Sequence, residues 1–166
     1  KNFFLNLNVT KKLATHNALA SNEKVVTVGV LVDESYFSQT QQLLDKIVSQ
    51  GIDVSNISLL VYKDKIKKKE EINEPFLTMK DVSISGEITK EGVNDFIKTP
   101  FDLLINYYDV NKSSLLLLSI KSKAKFKVGF DTVDKRVNHF IIKSLVENFD
   151  EFVLELFKYL KILNKI

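Results

Sequence analysis

Residues 25–64, "VVTVGVLVDESYFSQTQQLLDKIVSQGIDVSNISLLVYKD", decide the fold. The run 25–33 is almost continuously apolar and β-branched and ends at an acid, which is typical of a strand buried on both faces. An amphipathic stretch follows and reaches Gly51, where glycine can end a helix in the left-handed conformation. The run 56–64 indicates a second buried strand. Strand, helix and strand in this order predict a right-handed crossover between parallel strands.

The same pattern continues downstream, with three further apolar runs at 101–108, 125–130 and 139–145. We expect a helix from about Asn111 or Ser113 to Lys123, and a long amphipathic helix from Phe149 onward. The stretch 63–90 reads as an insertion with one short strand near 81–84. Five strands alternating with helices predict an α/β fold, a single three-layer Rossmann-like sandwich with a mainly parallel sheet.

The whole chain fits one such domain. Its 166 residues are 45% hydrophobic, which is ordinary for a globular protein. We therefore divide it into an N-terminal helical segment, 1–24, and a Rossmann-like domain, 25–166. No window offers the roughly 18 uncharged apolar residues that a membrane span needs. The first twenty residues are too polar for a signal-peptide core, so we predict a cytoplasmic protein, although Lys1 leaves an upstream signal open.

Composition excludes several kinds of site. The five glycines are scattered and form neither a GxGxxG motif nor a phosphate-binding P-loop. The chain has no cysteine and two histidines, which argues against Cys-ligated metals, imidazole metal sites and histidine-dependent triads. A net charge of +3 is too balanced to favour nucleic acid as a partner. We therefore expect neither a cofactor nor a bound metal.

Polar residues follow the predicted strands at the sheet edge where ligands of open parallel sheets bind. This candidate ligand site consists of Asp33, Asp109, Asn111, Ser113 and Asp131. Ser113 lies at a predicted helix start, where backbone N–H groups can hold a small anion, and Lys112 can add a cation. The aspartates are also suited to a hard cation or to acid–base work.

A purely structural interpretation of the same residues stays open. Asn111 or Ser113 can cap the helix through a side-chain oxygen. Each aspartate can end its strand by hydrogen bonding to the backbone of the following turn. The two basic runs, 63–71 and 121–127, have ordinary interpretations as a solvated loop and as a helix end followed by a strand.

The stretch 101–131, "FDLLINYYDVNKSSLLLLSIKSKAKFKVGFD", resembles part of the N-terminal domain of heptosyltransferase-type glycosyltransferases. The matching positions are Phe101, Asp102, Leu103, Ile105, Ser113, Leu115, Leu116, Ala124, Lys125, Gly129 and Phe130. The resemblance implies a Rossmann-like half-domain of a two-domain enzyme, and it carries over no catalytic residue. The family's Gly-Asp loop is replaced here by "VDESYF" at 32–37. The chain as a whole also resembles a group of small uncharacterised bacterial proteins.

Three functional hypotheses follow. The first is a non-catalytic module that binds a partner protein or a small anionic ligand. The second is a minimal enzyme or acceptor-binding domain related to glycosyltransferases, with its site at the strand edge. The third is homodimerisation through the N-terminal helix, with Phe3, Phe4 and Leu7 as exposed anchors. The sequence leaves open the reaction if there is one, the ligand, the strand order and the oligomeric state.

Overall fold

The computed structural model describes residues 23–166 together with Ala18, and in this part of the chain six strands form one sheet. The strands are β1 (Val28–Asp33), β2 (Ile57–Tyr62), β3 (Phe76–Leu77), β4 (Leu103–Tyr107), β5 (Lys127–Phe130) and β6 (Phe140–Ile142). Every neighbouring pair is parallel. The predicted α/β fold is confirmed, with one strand more than expected. The short strand lies at β3 and not at 81–84, where Val82 forms only an isolated bridge with Ile88.

The strand order is β3-β2-β1-β4-β5-β6. This is the strand order of doubly wound dinucleotide-binding sheets. β2 and β3 are added on one side of β1, and β4, β5 and β6 are then added on its other side. β1 and β4 are therefore the central strands, and Val28 is aligned with Leu103 in their shared register. Both strands consist of buried apolar residues along nearly their whole length, as expected when helices cover both faces.

Four helices lie in the described residues from 23 onward: α1 (Thr40–Ser49), α2 (Glu91–Lys98), α3 (Ser113–Lys121) and α4 (Phe149–Ile162). Side chains alternate across each strand, so each strand contributes to two cores. The core that contains Val30 and Ile105 is completed by α1 and α4. The core that contains Leu31 and Leu104 is completed by α2 and α3. The result is the predicted arrangement of three layers.

The predicted N-terminal segment, 1–24, is described only at Ala18, Glu23 and Lys24. Ala18 is helical and buried within the core of α1 and α4. Phe3, Phe4 and Leu7, the predicted dimer anchors, lie outside the described residues. Across the part of the chain that is described, no helix combines the length and hydrophobicity that crossing a bilayer requires.

Candidate functional site

The topological switch point lies between the carboxyl ends of β1 and β4. From β1 the chain continues into α1 on one face of the sheet, and from β4 it continues into α3 on the opposite face. Connections that diverge in this way leave a crevice between them, where ligands of doubly wound folds bind. The loops that border this position are 34–39 after β1 and 108–112 after β4.

Lys112 bridges the switch point. Its Nζ lies 2.6 Å from Oδ2 of Asp33, at the end of β1, and 2.9 Å from Oδ1 of Asp64, just after β2. The same Nζ lies 3.5 Å from the hydroxyl oxygen of Ser35. Asp33 and Lys112 are largely buried, whereas Asp64 faces solvent. One ammonium group thus joins the loops that follow β1, β2 and β4, and we call Asp33, Asp64 and Lys112 the ion triad.

The position of Lys112 explains why it needs two acidic partners. It is the extended residue immediately before α3, where the helix dipole is positive and a cation is electrostatically disfavoured. Burial lowers the pKa of Lys112, but its hydrogen bonds to Asp33 and Asp64 outweigh this, and the pKa lies above its ordinary value. The hydrogen bond from Lys112 in turn holds the pKa of Asp64 below its ordinary range.

Tyr62 lies beside the triad at the end of β2. Its side chain is buried, and the Nζ of Lys112 lies 5.3 Å from its ring centre. Burial, together with the negative charge of Asp64, raises the pKa of Tyr62 to about 12. The phenol is therefore neutral at physiological pH.

The turn after β1 displays an aromatic ring. The backbone N–H of Ser35 donates to Oδ1 of Asp33 at 2.9 Å, and the hydroxyl of Ser35 accepts from the N–H of Asp64 at 2.9 Å. These bonds tie the turn to both neighbouring strands. Tyr36 follows, and its side chain is 94% exposed with its ring centre 5.9 Å from the Nζ of Lys112. A large aromatic residue is thus held on a braced turn without being buried.

The carboxylate of Glu34 lies at the start of α1, although Glu34 itself belongs to the loop 34–39. Its carboxylate accepts a 2.6 Å hydrogen bond from the hydroxyl of Thr40, the first residue of α1. In dinucleotide-binding domains this helix start receives the pyrophosphate, and glycines allow its close approach. A carboxylate at that position disfavours a phosphate, in agreement with the absence of a glycine-rich motif.

Asn111 and Asp109 connect the loop after β4 to the loop after β5, and Asp131 connects that second loop to β6. The side-chain oxygen of Asn111 accepts from the backbone N–H of Asp134 at 2.9 Å. The backbone carbonyl of Asp109 accepts from the hydroxyl of Thr132 at 2.6 Å. The backbone N–H of Asp131 donates to the carbonyl of Ile142 at 3.2 Å. The carboxyl ends of the strands are thereby tied together along the edge.

The structural interpretation of these residues is wrong for Asn111 and Ser113 and right for Asp33. The residue at the cap position of α3 is Lys112, and no side chain caps the helix there. Ser113 is already the first residue of the helix and is exposed. Asp33 does bond to the turn that follows it, through Ser35. The predicted cation at Lys112 is present, but its charge is already shared by two carboxylates.

Sequence reasoning missed Asp64. It lies inside the charged run 63–71, which we interpreted as a solvated loop, although Asp64 comes directly after a buried strand. The rule that identified Asp33 therefore applied equally to it. Within the described residues, no three His, Cys, Asp or Glu side chains are arranged to hold a metal ion.

Comparison with known proteins gives a family but no activity. No curated protein and no solved structure matches the chain, so the resemblance of residues 101–131 to heptosyltransferases has no support from these comparisons. The expectation that the whole chain belongs to an uncharacterised family is confirmed. A family model matches residues 1–163, and the chain therefore belongs to the family of unknown function DUF6913.

Proposed function

We propose that this chain is a non-catalytic domain that binds a small ligand at the carboxyl edge of its sheet, beside the ion triad. The observation that carries the proposal is the pairing of a braced triad with an exposed ring at the switch point: Lys112 joins three loops, and Tyr36 is displayed next to it. Ligands of doubly wound sheets bind at this place. The predicted residues Asp109, Asn111, Ser113 and Asp131 extend the same edge.

The charge of the edge favours a ligand rich in hydrogen-bond donors. Its carboxylates belong to Asp33, Glu34, Asp64, Asp109 and Asp131, and the ammonium of Lys112 at the switch point is already paired with Asp33 and Asp64. Ionised carboxylates only accept hydrogen bonds, so they pair best with hydroxyl or amino groups. We therefore favour a neutral or cationic ligand over the small anion that the sequence suggested.

The exposed ring adds a second requirement. The face of Tyr36 offers a flat apolar surface, and its hydroxyl offers a polar end. A sugar or a similar ring compound presents a flat C–H face to such a surface and directs its hydroxyl groups toward the neighbouring carboxylates. The ligand class that fits both features is a neutral, polyhydroxylated ring.

The protonation states of Lys112, Asp64 and Tyr62 support binding without catalysis. A general acid or base works best with a pKa near the operating pH. The pKa of Lys112 is raised and that of Asp64 is lowered, because each stabilises the charge of the other. The pKa of Tyr62 is about 12. None of these groups exchanges a proton easily near pH 7.

A thermal-shift panel tests the proposal with neutral sugars, amino sugars, nucleotide sugars, nucleotides and inorganic phosphate. A ligand present at about 100 times its Kd adds ~2.7 kcal/mol of stability. For a domain of this size that corresponds to a shift of about 5–10 °C. We expect neutral or amino sugars to raise the Tm and phosphate to have no effect.

Variants identify the surface that binds. Tyr36→Ala and Asp64→Ala are expected to abolish the shift, while Ile84→Ala, which removes another fully exposed apolar side chain, is expected to retain it. Asp109→Ala and Ser113→Ala test the predicted remainder of the edge. A flat panel, or a shift produced by phosphate alone, contradicts the proposal. Turnover of a nucleotide sugar would favour the alternative of a minimal enzyme related to glycosyltransferases.

A further inference from the structure

Four polar side chains are buried in the core between the sheet and helices α2 and α3. They belong to Asn106 on β4, Tyr108 just after it, Ser119 on α3 and Asn138 before β6, and none is more than 4% exposed. We call them the polar network. They lie among apolar side chains such as Leu104, Leu115 and Leu118, so four buried polar groups at this place require an explanation.

The hydrogen bonds of the polar network form one connected series from Tyr108 to Asn138. The hydroxyl groups of Tyr108 and Ser119 are 2.7 Å apart, and either hydroxyl can donate to the other. Ser119 lies 2.9 Å from the side-chain oxygen of Asn106 and 2.8 Å from the carbonyl of Leu115, so its proton has an acceptor in either direction. The side-chain amide of Asn106 donates to the side-chain oxygen of Asn138 at 2.8 Å.

Asn138 reaches this position by crossing β5. A Cβ atom at Gly129 would lie 2.3 Å from Nδ2 of Asn138, so the asparagine occupies the space above the glycine. Asn138 thus passes over one strand to bond with the next, and it fixes the end of the segment 131–138 to the centre of the sheet. The same segment places the buried side chains of Val133 and Val137 against this core.

We infer that the polar network is a latch that positions the segment 131–138 at the carboxyl edge of the sheet. An apolar set of similar volume would fill the core, but it would not specify where the segment lies, since apolar contacts have no direction. A fully bonded network does specify it, and a partly bonded one is costly, so the segment has one favoured position. That position also brings the N–H of Asp134 to Asn111.

The latch relates the core to the proposed binding edge. The segment carries Asp131, and its contacts with Asn111 and Asp109 hold the loop that contains Lys112. Asn138 is therefore a positioning residue, because it lies in the core and acts through the segment. Any effect of the latch on ligand binding rests on the proposed function, whereas its effect on the segment does not.

Amide hydrogen exchange on the full chain tests the latch. In Asn138→Ala, we expect the amides of Val133, Asp134 and Val137 to exchange roughly 10-fold faster or more, since Asn106 loses its partner. The amides of the central strands β1 and β4 are expected to change much less. Ser119→Ala is a second variant, which removes the contacts with Tyr108 and Asn106 but leaves Asn138 in place, and it should accelerate the same amides to a smaller extent.

Tyr107→Phe provides the matched control. Tyr107 is as buried as Tyr108, but its hydroxyl donates to the carbonyl of Val146 on the opposite face of the sheet. This variant loses one buried hydrogen bond and should leave exchange in the segment unchanged. Equal acceleration at all amides in Asn138→Ala and Ser119→Ala, or none in the segment, would overturn the latch.

A binding measurement separates this inference from the proposed function. For a sugar that shifts the Tm of the unmodified chain, Asn138→Ala is expected to weaken binding several-fold, and Tyr107→Phe is expected to leave it unchanged. If no sugar binds the unmodified chain, the proposed function fails. The exchange experiment still decides the latch in that case, because it needs no ligand.

Discussion

The Nζ of Lys112 lies 2.6 Å from Oδ2 of Asp33, although 79 residues separate them in the chain. This contact joins the end of β1 to the loop after β4, at the point where the strand order of the sheet reverses. Both side chains are largely buried, so each provides the counterion that the other needs where water solvates charges poorly. The contact is therefore a structural clamp at the place where a ligand site is expected.

Replacing Lys112 with methionine should destabilise the domain. The substitution keeps much of the side-chain volume but leaves Asp33 without its counterion in a poorly solvated position. Because the triad retains some contact with water, we expect a loss of about 1–3 kcal/mol in the free energy of unfolding. Urea denaturation measures this loss.

Lys98→Met, at the exposed end of α2, is the control and should change stability by less than about 0.5 kcal/mol. Equal stability of the two variants would mean that the clamp contributes nothing.

Asp102 makes the stability of the domain depend on pH in the acid range. Its Oδ2 accepts hydrogen bonds from the backbone N–H groups of Val26 and Thr27, both at 2.9 Å, and Lys125 lies near the other oxygen. Burial raises the pKa of Asp102, but these donors outweigh burial and bring it below its ordinary value. The stabilisation is therefore complete above pH ~4 and is lost as the pH falls through the pKa of the folded state.

The variant Asp102→Asn should show this dependence directly. We expect it to lose about 1–3 kcal/mol at pH 7, since the bonds to a charged acceptor are replaced by weaker ones. Its stability should then fall less steeply than that of the unmodified chain between pH 5 and pH 2. Denaturant titrations across this range test the expectation, with Asp95→Asn on α2 as control. If the stability of Asp102→Asn and that of the unmodified chain fall with the same slope over this pH range, the expectation is wrong.

Lys127 should destabilise the fold at neutral pH, and this cost should fall as the pH rises. Burial, with a contribution from Lys123, lowers the pKa of Lys127 to about 8, while an unfolded chain keeps this group near its ordinary pKa of about 10.4. Between these values the unfolded state binds more protons, so the free energy of unfolding gains from this group as the pH rises. At pH 7 the charged Lys127 ammonium therefore lowers the free energy of unfolding.

Lys127→Met is therefore expected to stabilise the chain by about 1–2 kcal/mol at pH 7, since the burial of a charge is avoided at the expense of one hydrogen bond to Ile120. The advantage should shrink as the pH is raised toward 9.5. Thermal unfolding at both pH values checks this. Lys125→Met is the comparison, because Glu23 and then Asp102 raise the pKa of Lys125. A constant advantage at both pH values would show that charge is not its cause.

The sequence predicted those elements whose pattern is local. The apolar stripe that begins at Phe149 predicted α4, and the polar residues before Ser113 predicted the start of α3. β3 was misplaced because its two residues, Phe76 and Leu77, have no periodicity of their own. It depends on pairing with Val61 and Tyr62 of β2, and Lys90 covers the ring of Phe76.

The candidate site was predicted only in part, for a related reason. Asp33 followed from its place at the end of an apolar run. Its pairing with Lys112 and Asp64 could not be predicted, because three loops that are distant in sequence meet only after the strand order is known. Asn106 was a missed signal, since a lone amide inside the apolar run 101–108 indicates a buried hydrogen bond.

Replacing glycine with alanine should have opposite effects on stability at Gly129 and at Gly92. At Gly129 a Cβ would collide with the amide of Asn138, whose nearest atom lies 2.3 Å away, so Gly129→Ala should displace the side chain that closes the polar network. We expect a loss of about 2 kcal/mol or more, since Asn106 would be left with an unpaired buried amide. At Gly92, in α2, the nearest atom is Cβ of Pro75 at 3.5 Å, an ordinary contact.

Gly92→Ala, in the first turn of α2, should therefore stabilise the chain by about 0.4–1 kcal/mol, because alanine lowers the conformational entropy of the unfolded chain. Urea denaturation of both variants tests the pair under the same conditions. Combining Gly129→Ala with Asn138→Ala gives a further check, because the second substitution removes the atom that the first one meets. The double variant should then lose much less than the sum of the single losses, as expected for residues that act through one contact. Additive losses would show that Gly129 is required for a reason other than Asn138.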